Sequence, residues 1–184
     1  MRKPLLAVLA VVLTFPAVSF AQYNEESPAK IGIRGGVRQP AGSRVTDQAS
    51  KWPEIGVDYV LHFEADKPQD VASLMYTATN KNLITAKLLG LEYMRQWSLS
   101  DVPDKGFFYG LGAGAYLSSV EIVETFLTPR VDESDMQFGL SMMAGYHLGR
   151  YWFVEVRYSK LPELAKDVDL SGLSVSIGIK RFLE

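Results

Sequence analysis

Phe107-Phe108-Tyr109-Gly110-Leu111-Gly112-Ala113-Gly114-Ala115-Tyr116-Leu117 is the stretch whose reading decides the fold. Every second residue from Phe107 is apolar, and Gly110, Gly112 and Gly114 fill the central positions between them. Successive side chains of a strand point to opposite faces, so this is a strand with one greasy face and one nearly bare face. Alternating glycines cost an ordinary strand stability, because they bring no side chain to pack. They make sense where the bare face lines a narrow barrel and leaves room for long side chains from neighbouring strands.

Outward from this stretch, segments of period two recur along the chain. They cover Lys30–Pro40, Trp52–Phe63, Val71–Thr79, Leu83–Gln96, Phe107–Val120, Met136–Leu148, Tyr151–Lys160 and Leu170–Phe182. Their spacing suits strands of about 9–11 residues that cross a bilayer at a tilt. The separators carry turn chemistry: Pro40-Ala41-Gly42-Ser43, Asp66-Lys67-Pro68-Gln69-Asp70, Asn80-Lys81-Asn82, Asp101-Val102-Pro103-Asp104-Lys105-Gly106 and Gly149-Arg150. The expected fold is all-β, an eight-stranded antiparallel up-and-down transmembrane β-barrel over residues 30–184.

A soluble barrel with a lipocalin-like cavity, carrying a small molecule through the periplasm, would alternate too, so the faces decide. One face collects Gly32, Arg34, Gly36, Arg38, Glu54, Gly56, Asp58, Gly90, Glu92, the three glycines above, Gln137, Gly139, Ser141, Gly145, Glu155, Arg157, Ser159, Ser174, Ser176, Gly178 and Lys180. The other carries Ile31, Ile33, Val37, Ile55, Val57, Leu89, Leu91, Leu111, Phe138, Leu140, Val154, Val156, Val175 and Ile177. A face turned to water is rarely so rich in glycine. Turned inward, small residues beside long charged ones fill a lumen, and the apolar face meets lipid. With both termini periplasmic, Phe63, Tyr93, Trp97, Phe107, Tyr109, Tyr146 and Trp152 gather at the periplasmic ends, and Trp52, Tyr76, Phe138 and Tyr158 nearer the other. Two aromatic girdles are what a membrane barrel needs.

The N-terminus reads as an address. Arg2 and Lys3 precede an apolar run from Leu5 to Leu13, and Pro16 and Ser19-Phe20-Ala21 follow, which predicts a secretory signal peptide over 1–21 and a polar lead-in over 22–29. There is no cysteine, so neither a disulfide nor a lipid-bearing Cys is possible. The formal net charge is −2, and loss of Arg2 and Lys3 makes it more negative, which argues against nucleic acid as a partner. The partners expected are outer-membrane lipid, the barrel-insertion machinery and an unknown ligand of the external loops.

The alternation and the Tyr109-to-Tyr116 strand resemble the small eight-stranded outer-membrane barrels, the type of outer membrane protein A's transmembrane domain and other porin-like barrels. Members of such families usually end on an aromatic residue. Here Phe182 is followed by Leu183 and Glu184 and falls in the lumen phase of Lys180, a departure from that ending. Lipid A deacylases are also eight-stranded barrels, with a motif that has a His two residues before a catalytic Ser. The matching positions here are Glu64 after His62 and Gly149 after His147, so that motif is missing.

The candidate site is the lumen. Arg34, Arg38, Arg157 and Lys180 balance Glu54, Asp58, Glu92 and Glu155, and charges held away from water demand pairing. Eight strands leave room for side chains alone, so the reading favours a plugged interior over a conducting path. His62 and His147 share the lumen phase without further ligands at metal-binding spacing. Gly110-x-Gly112-x-x-Ala115 lacks the βαβ setting of a dinucleotide site. Asp167-x-Asp169-x-Ser171-Gly172 matches half a calcium loop, but Gly178 stands where the bidentate Glu belongs. No cofactor or metal is expected. Residues 121–135 read as an acidic solvated loop in which Phe126 and Leu127 offer a contact point. The functional expectation is a non-enzymatic barrel, structural or binding through its loops; the alternatives are a lipid-modifying enzyme of the same architecture and the soluble carrier.

Overall fold

The computed structural model describes residues 30–47, 49–62, 68–81, 83–100, 105–123, 131–149, 151–165 and 168–182. The expected signal peptide, the lead-in, Phe63, Phe126, Leu127, Leu183 and Glu184 lie outside these residues. Eight strands run in sequence order around a closed antiparallel barrel. They are β1 (Lys30–Pro40), β2 (Trp52–His62), β3 (Gln69–Lys81), β4 (Ile84–Ser98), β5 (Gly106–Ile122), β6 (Val131–His147), β7 (Trp152–Lys160) and β8 (Gly172–Phe182). The seam joins β1 to β8, from Lys30 opposite Phe182 to Pro40 opposite Gly172.

Alternation sorts the wall as the faces predict. Ile33, Ile55, Leu111, Phe138, Leu140, Val175 and Ile177 are each more than half exposed, and the residues between them turn inward. At the end where β1 begins, here the lower end, turns are short. Leu99 N–H donates to Phe107 O at 2.8 Å and Leu148 N–H to Trp152 O at 2.9 Å. Gly106 and Gly149 adopt φ of 77° and 132°, left-handed values that a side chain would strain.

The upper end differs from expectation. A single helical turn, α1 (Ser43–Thr46), stands where a plain turn was predicted. Strands β3 to β6 outgrow their neighbours: β2 pairs with β3 only up to Glu54–Thr77, and β7 pairs with β6 only from Leu140–Lys160. A wall therefore rises above the closed tube on one side. It includes Glu121–Ile122 and Val131–Asp135, which the sequence reading placed in an acidic loop. That correction has a simple cause. Above the tube, residues 132–136 are wet on both faces, so the strand needs no apolar period to form.

Candidate functional site

The lumen is stratified. Its middle is a belt of ions built around two arginines, Arg34 of β1 and Arg157 of β7, which are 2 % and 1 % exposed. Arg34 Nη1 lies 2.9 Å from Glu54 Oε1, and its Nε lies 3.3 Å from Asp58 Oδ2 and 3.4 Å from Glu155 Oε1. Arg157 Nη1 lies 2.6 Å from Glu92 Oε2, and its Nη2 lies 3.1 Å from Glu155 Oε1 and 3.7 Å from Asp58 Oδ1. Both guanidinium groups donate to one hydroxyl, Ser73 Oγ, at 3.1 and 2.9 Å, and that hydroxyl donates to Asp58 Oδ1 at 2.6 Å. Glu92 also accepts hydrogen bonds from the Tyr116 hydroxyl and from Ser159 Oγ.

Arg38 sits higher, 3.9 Å from Glu54 Oε2, with its Nη2 donating to Leu170 O at 2.9 Å. Ser174 Oγ closes that corner by donating to Glu54 Oε2 at 2.7 Å. Lys180 is placed lower, its Nζ 5.2 Å from the centre of the Phe108 ring and 4.9 Å from that of Phe153. All eight charged residues named from the sequence are thus inside, with Lys180 against aromatic rings rather than in the central belt. Lys30, also buried, is a further lumen cation that the sequence reading did not name.

Backbone approach makes the belt possible. A Cβ on Gly56 would come within 2.6 Å of the Arg34 guanidinium carbon, and one on Gly90 within 2.8 Å of the Tyr116 ring. On Gly145 it would meet the Phe108 ring at 2.3 Å. Gly110, Gly112, Gly114 and Gly139 face Met143, Met94, Glu92 and Leu161 in the same way.

Above and below the belt lie apolar clusters, which the polar-face reading missed. The lower layer joins Val60, Val71, Met94, Phe108, Met143 and Phe153, with the His147 ring 4.6 Å from Phe108. The upper layer is larger and joins the inner face of the raised wall to the loops above it. Met75, Ile84, Ala86, Leu88, Tyr116, Val120 and Ile122 pack with Val45 of α1 and Ala49 just after it, with Trp52, and with Leu161, Val168 and Leu170 between β7 and β8. Trp52 is a correction: it is 0 % exposed and its Nε1 donates to Ala49 O at 2.8 Å, inside the cap and not in a girdle. Its register opposite Arg38 assigns it to the lumen phase.

The girdle residues Tyr93, Phe107, Tyr109, Tyr146 and Trp152 are exposed on the outer wall and Tyr158 half-buried there. Trp97 stacks on Tyr109 with ring centres 5.4 Å apart, and Phe107 meets Tyr146 edge-on at 4.8 Å. Of the half calcium loop, Asp167 lies outside the described residues and Asp169 is spent on the chain itself. Asp169 Oδ1 accepts from Ser171 N–H at 2.7 Å and Oδ2 pairs with Lys160 Nζ at 3.0 Å, which ties the β7–β8 loop down. Gly42 N–H adds a bond to Asp169 O, linking that loop to the one between β1 and β2. Among the described residues no cluster of His, Cys, Asp and Glu has the arrangement of a metal site.

No protein-family model and no curated protein matches this sequence. Solved structures do match it in shape. The N-terminal β-barrel domain of Pseudomonas aeruginosa OprF is 11% identical, with a TM-score of 0.60 over 85% of this chain and 98% of that one. Neisserial surface protein A is 10% identical, with a TM-score of 0.58 over 84% and 97%. The Yersinia pestis outer membrane protein Ail, in a phospholipid bilayer nanodisc, is 11% identical, with a TM-score of 0.54 over 85% and 100%. Identities this low make the likeness one of fold: this chain has the architecture of the small eight-stranded outer-membrane barrels.

Proposed function

We propose that the protein is a non-enzymatic outer-membrane β-barrel, exported on a cleaved signal peptide, with a closed lumen and an upper end that faces outward. It acts as a structural element or as a binding surface through its upper loops. Its partners are membrane lipid, the insertion machinery and a loop ligand. The observation that carries this reading is the inversion of polarity. Arginines and carboxylates are packed inside while Ile33, Leu111, Phe138, Leu140 and Ile177 face out. A soluble carrier needs the opposite arrangement, because each outward apolar side chain costs free energy in water and gains it in lipid. The stratified interior supports closure, since an ion crossing it would displace both apolar layers and the belt.

The test joins fractionation to conductance. The protein is expected in the outer-membrane fraction, with a gel mobility that shifts on boiling, and with no steady current in planar bilayers. Leu111→Arg is expected to cost about 2–4 kcal/mol of barrel stability in lipid. Recovery of the wild-type protein from the soluble periplasm, with Leu111→Arg as stable as the parent, overturns membrane residence. Stable porin-like currents overturn closure.

A further inference from the structure

Strand β6 is paired along its whole length on one side only. Its ladder with β5 runs from Val131 to His147, whereas the ladder with β7 begins at Leu140. The chain after Lys160 turns away: Pro162 has no N–H to give, and Leu161 N–H is taken by Ser171 Oγ at 2.9 Å. Among the described residues, no strand lies against residues 133–139 on that side. The lower part is screened, because Gln137 Nε2 donates to Pro162 O at 2.7 Å and Gly139 abuts Leu161. Above it, Glu133, Ser134, Asp135 and Met136 are exposed in succession, and the Met136 N–H donates to Asp135 Oδ1 at 2.7 Å, which leaves Oδ2 of that carboxylate for outward contacts. An open edge of this kind presents backbone N–H and C=O groups that no second strand takes and is a template for another strand.

The charges choose the occupant. A second copy of this chain would set Glu133 and Asp135 against their own kind, and like charges placed opposite each other destabilise a strand pair. An extended segment with Lys or Arg two residues apart meets both carboxylates on one face. It leaves an intervening apolar side chain for Met136 on the other. We propose that the exposed edge of β6 at Glu133–Met136 docks an extended basic segment of another protein as an added strand.

The probe is a fluorescent, end-capped octapeptide of alternating Lys and Val, titrated by anisotropy into the full chain folded in uncharged detergent. Binding is expected for this peptide and not for the Glu–Val counterpart. Methylating two consecutive central amides blocks both backbone edges while leaving the charge, and is expected to weaken binding by roughly tenfold or more. The double variant Glu133→Gln/Asp135→Asn, checked for folding by its heat-dependent gel shift, is expected to bind the Lys–Val peptide roughly two- to thirtyfold more weakly. Equal binding of the methylated peptide means a diffuse charge contact and overturns strand addition. Absence of Lys–Val binding overturns it as well, and so does sedimentation showing a dimer that the double variant abolishes. The peptide comparison uses the wild-type protein and decides the matter even if the variant does not fold.

Discussion

Around Arg157 the neighbours are Glu92, Glu155, Asp58 and Ser73; around Trp52 they are drawn from Val45, Ala49, Met75, Leu161, Val168 and Leu170. Both side chains are withdrawn from solvent, and both block the same tube. The belt lies at a depth where water is excluded on every side, so its charges are stable only in each other's company. Removing one leaves its partners as uncompensated ions. In the membrane placement proposed above, the cap lies at the mouth, where the raised wall and the loops leave the membrane for water. There the hydrophobic effect is available again, and burying apolar area is itself favourable. The difference teaches that one barrel can be closed by two kinds of packing, each suited to the medium at its height.

The sharpest way to break the comparison is to remove the belt's hub. Arg157→Met keeps much of the volume, strands Glu92 and leaves Glu155 with Arg34 alone. The expected cost is about 3–5 kcal/mol, read as the drop in stability from urea unfolding in liposomes. Glu133→Gln on the wet part of β6 is the control and should stay within about 0.5 kcal/mol of the parent. Equal midpoints for the two variants would mean that the lumen carboxylates do not depend on Arg157.

The cap should fail by a different rule. Trp52→Ala opens a cavity and abandons the carbonyl of Ala49, for an expected loss of about 3 kcal/mol, at the low end for such truncations because the adjoining loops can settle. The signature that separates the two regions is pH. Loss from Trp52→Ala should be the same at pH 5 and pH 8, because no charge is stranded. A loss from Trp52→Ala that changed strongly over that range would tie the cap to the belt and erase the distinction.

These two regions were unequally legible in the sequence. Period two exposed the belt, because Glu54-x-x-x-Asp58, Glu155-x-Arg157 and Arg34-x-x-x-Arg38 hold long charged residues at one parity on strands whose other parity is greasy. Ser73 was not named, although it shares its parity with Thr77 and Thr79 on β3; a short hydroxyl carries no weight until two guanidinium groups converge on it. The cap was hidden for a physical reason. Ile84, Ala86, Leu88, Val120 and Ile122 are apolar at the inward parity, so the polar-inside rule that works at membrane depth reverses above it. Their partners Val45, Leu161 and Val168 come from connections with no period at all. Trp52 was assigned by its type, aromatic and near an end, when its parity with Glu54 already placed it inside.

A smaller change probes the belt from its neutral member. Ser73→Ala removes the acceptor shared by Arg34 and Arg157 and the donor to Asp58, while all three of these ions remain. A hydrogen bond to a charged group contributes about 1.5–3 kcal/mol, and water that enters the space returns part of it. The expected loss is about 1.5 kcal/mol by urea unfolding. A loss as large as that of Arg157→Met would show that the hydroxyl, and not the charge balance, holds the belt together.

The smallest effect tests the cap at its outer rim. Asp169 fastens the β7–β8 loop, accepting from Ser171 N–H and pairing with Lys160, and Gly42 bonds its carbonyl from the neighbouring loop. Partial burial pushes its carboxyl upward, but the bonds from Ser171 and the Lys160 ammonium outweigh that and hold it below the ordinary 3.8. A carboxyl depressed in the folded state contributes its full stabilisation above the unfolded value and loses it as pH falls through the folded one. The loop should therefore be held unchanged from neutral pH down to about 4 and loosen only below. Asp169→Asn should protect the amides of Leu161, Ser171 and Gly172 from hydrogen exchange less than the parent does at pH 6. The two should converge as pH falls through the folded-state value. The comparison with the variant is what isolates this group, since lumen carboxylates respond to acid as well. Full protection of these amides in Asp169→Asn at pH 6 would mean that the apolar contacts of Leu161 and Leu170 alone keep the cap shut.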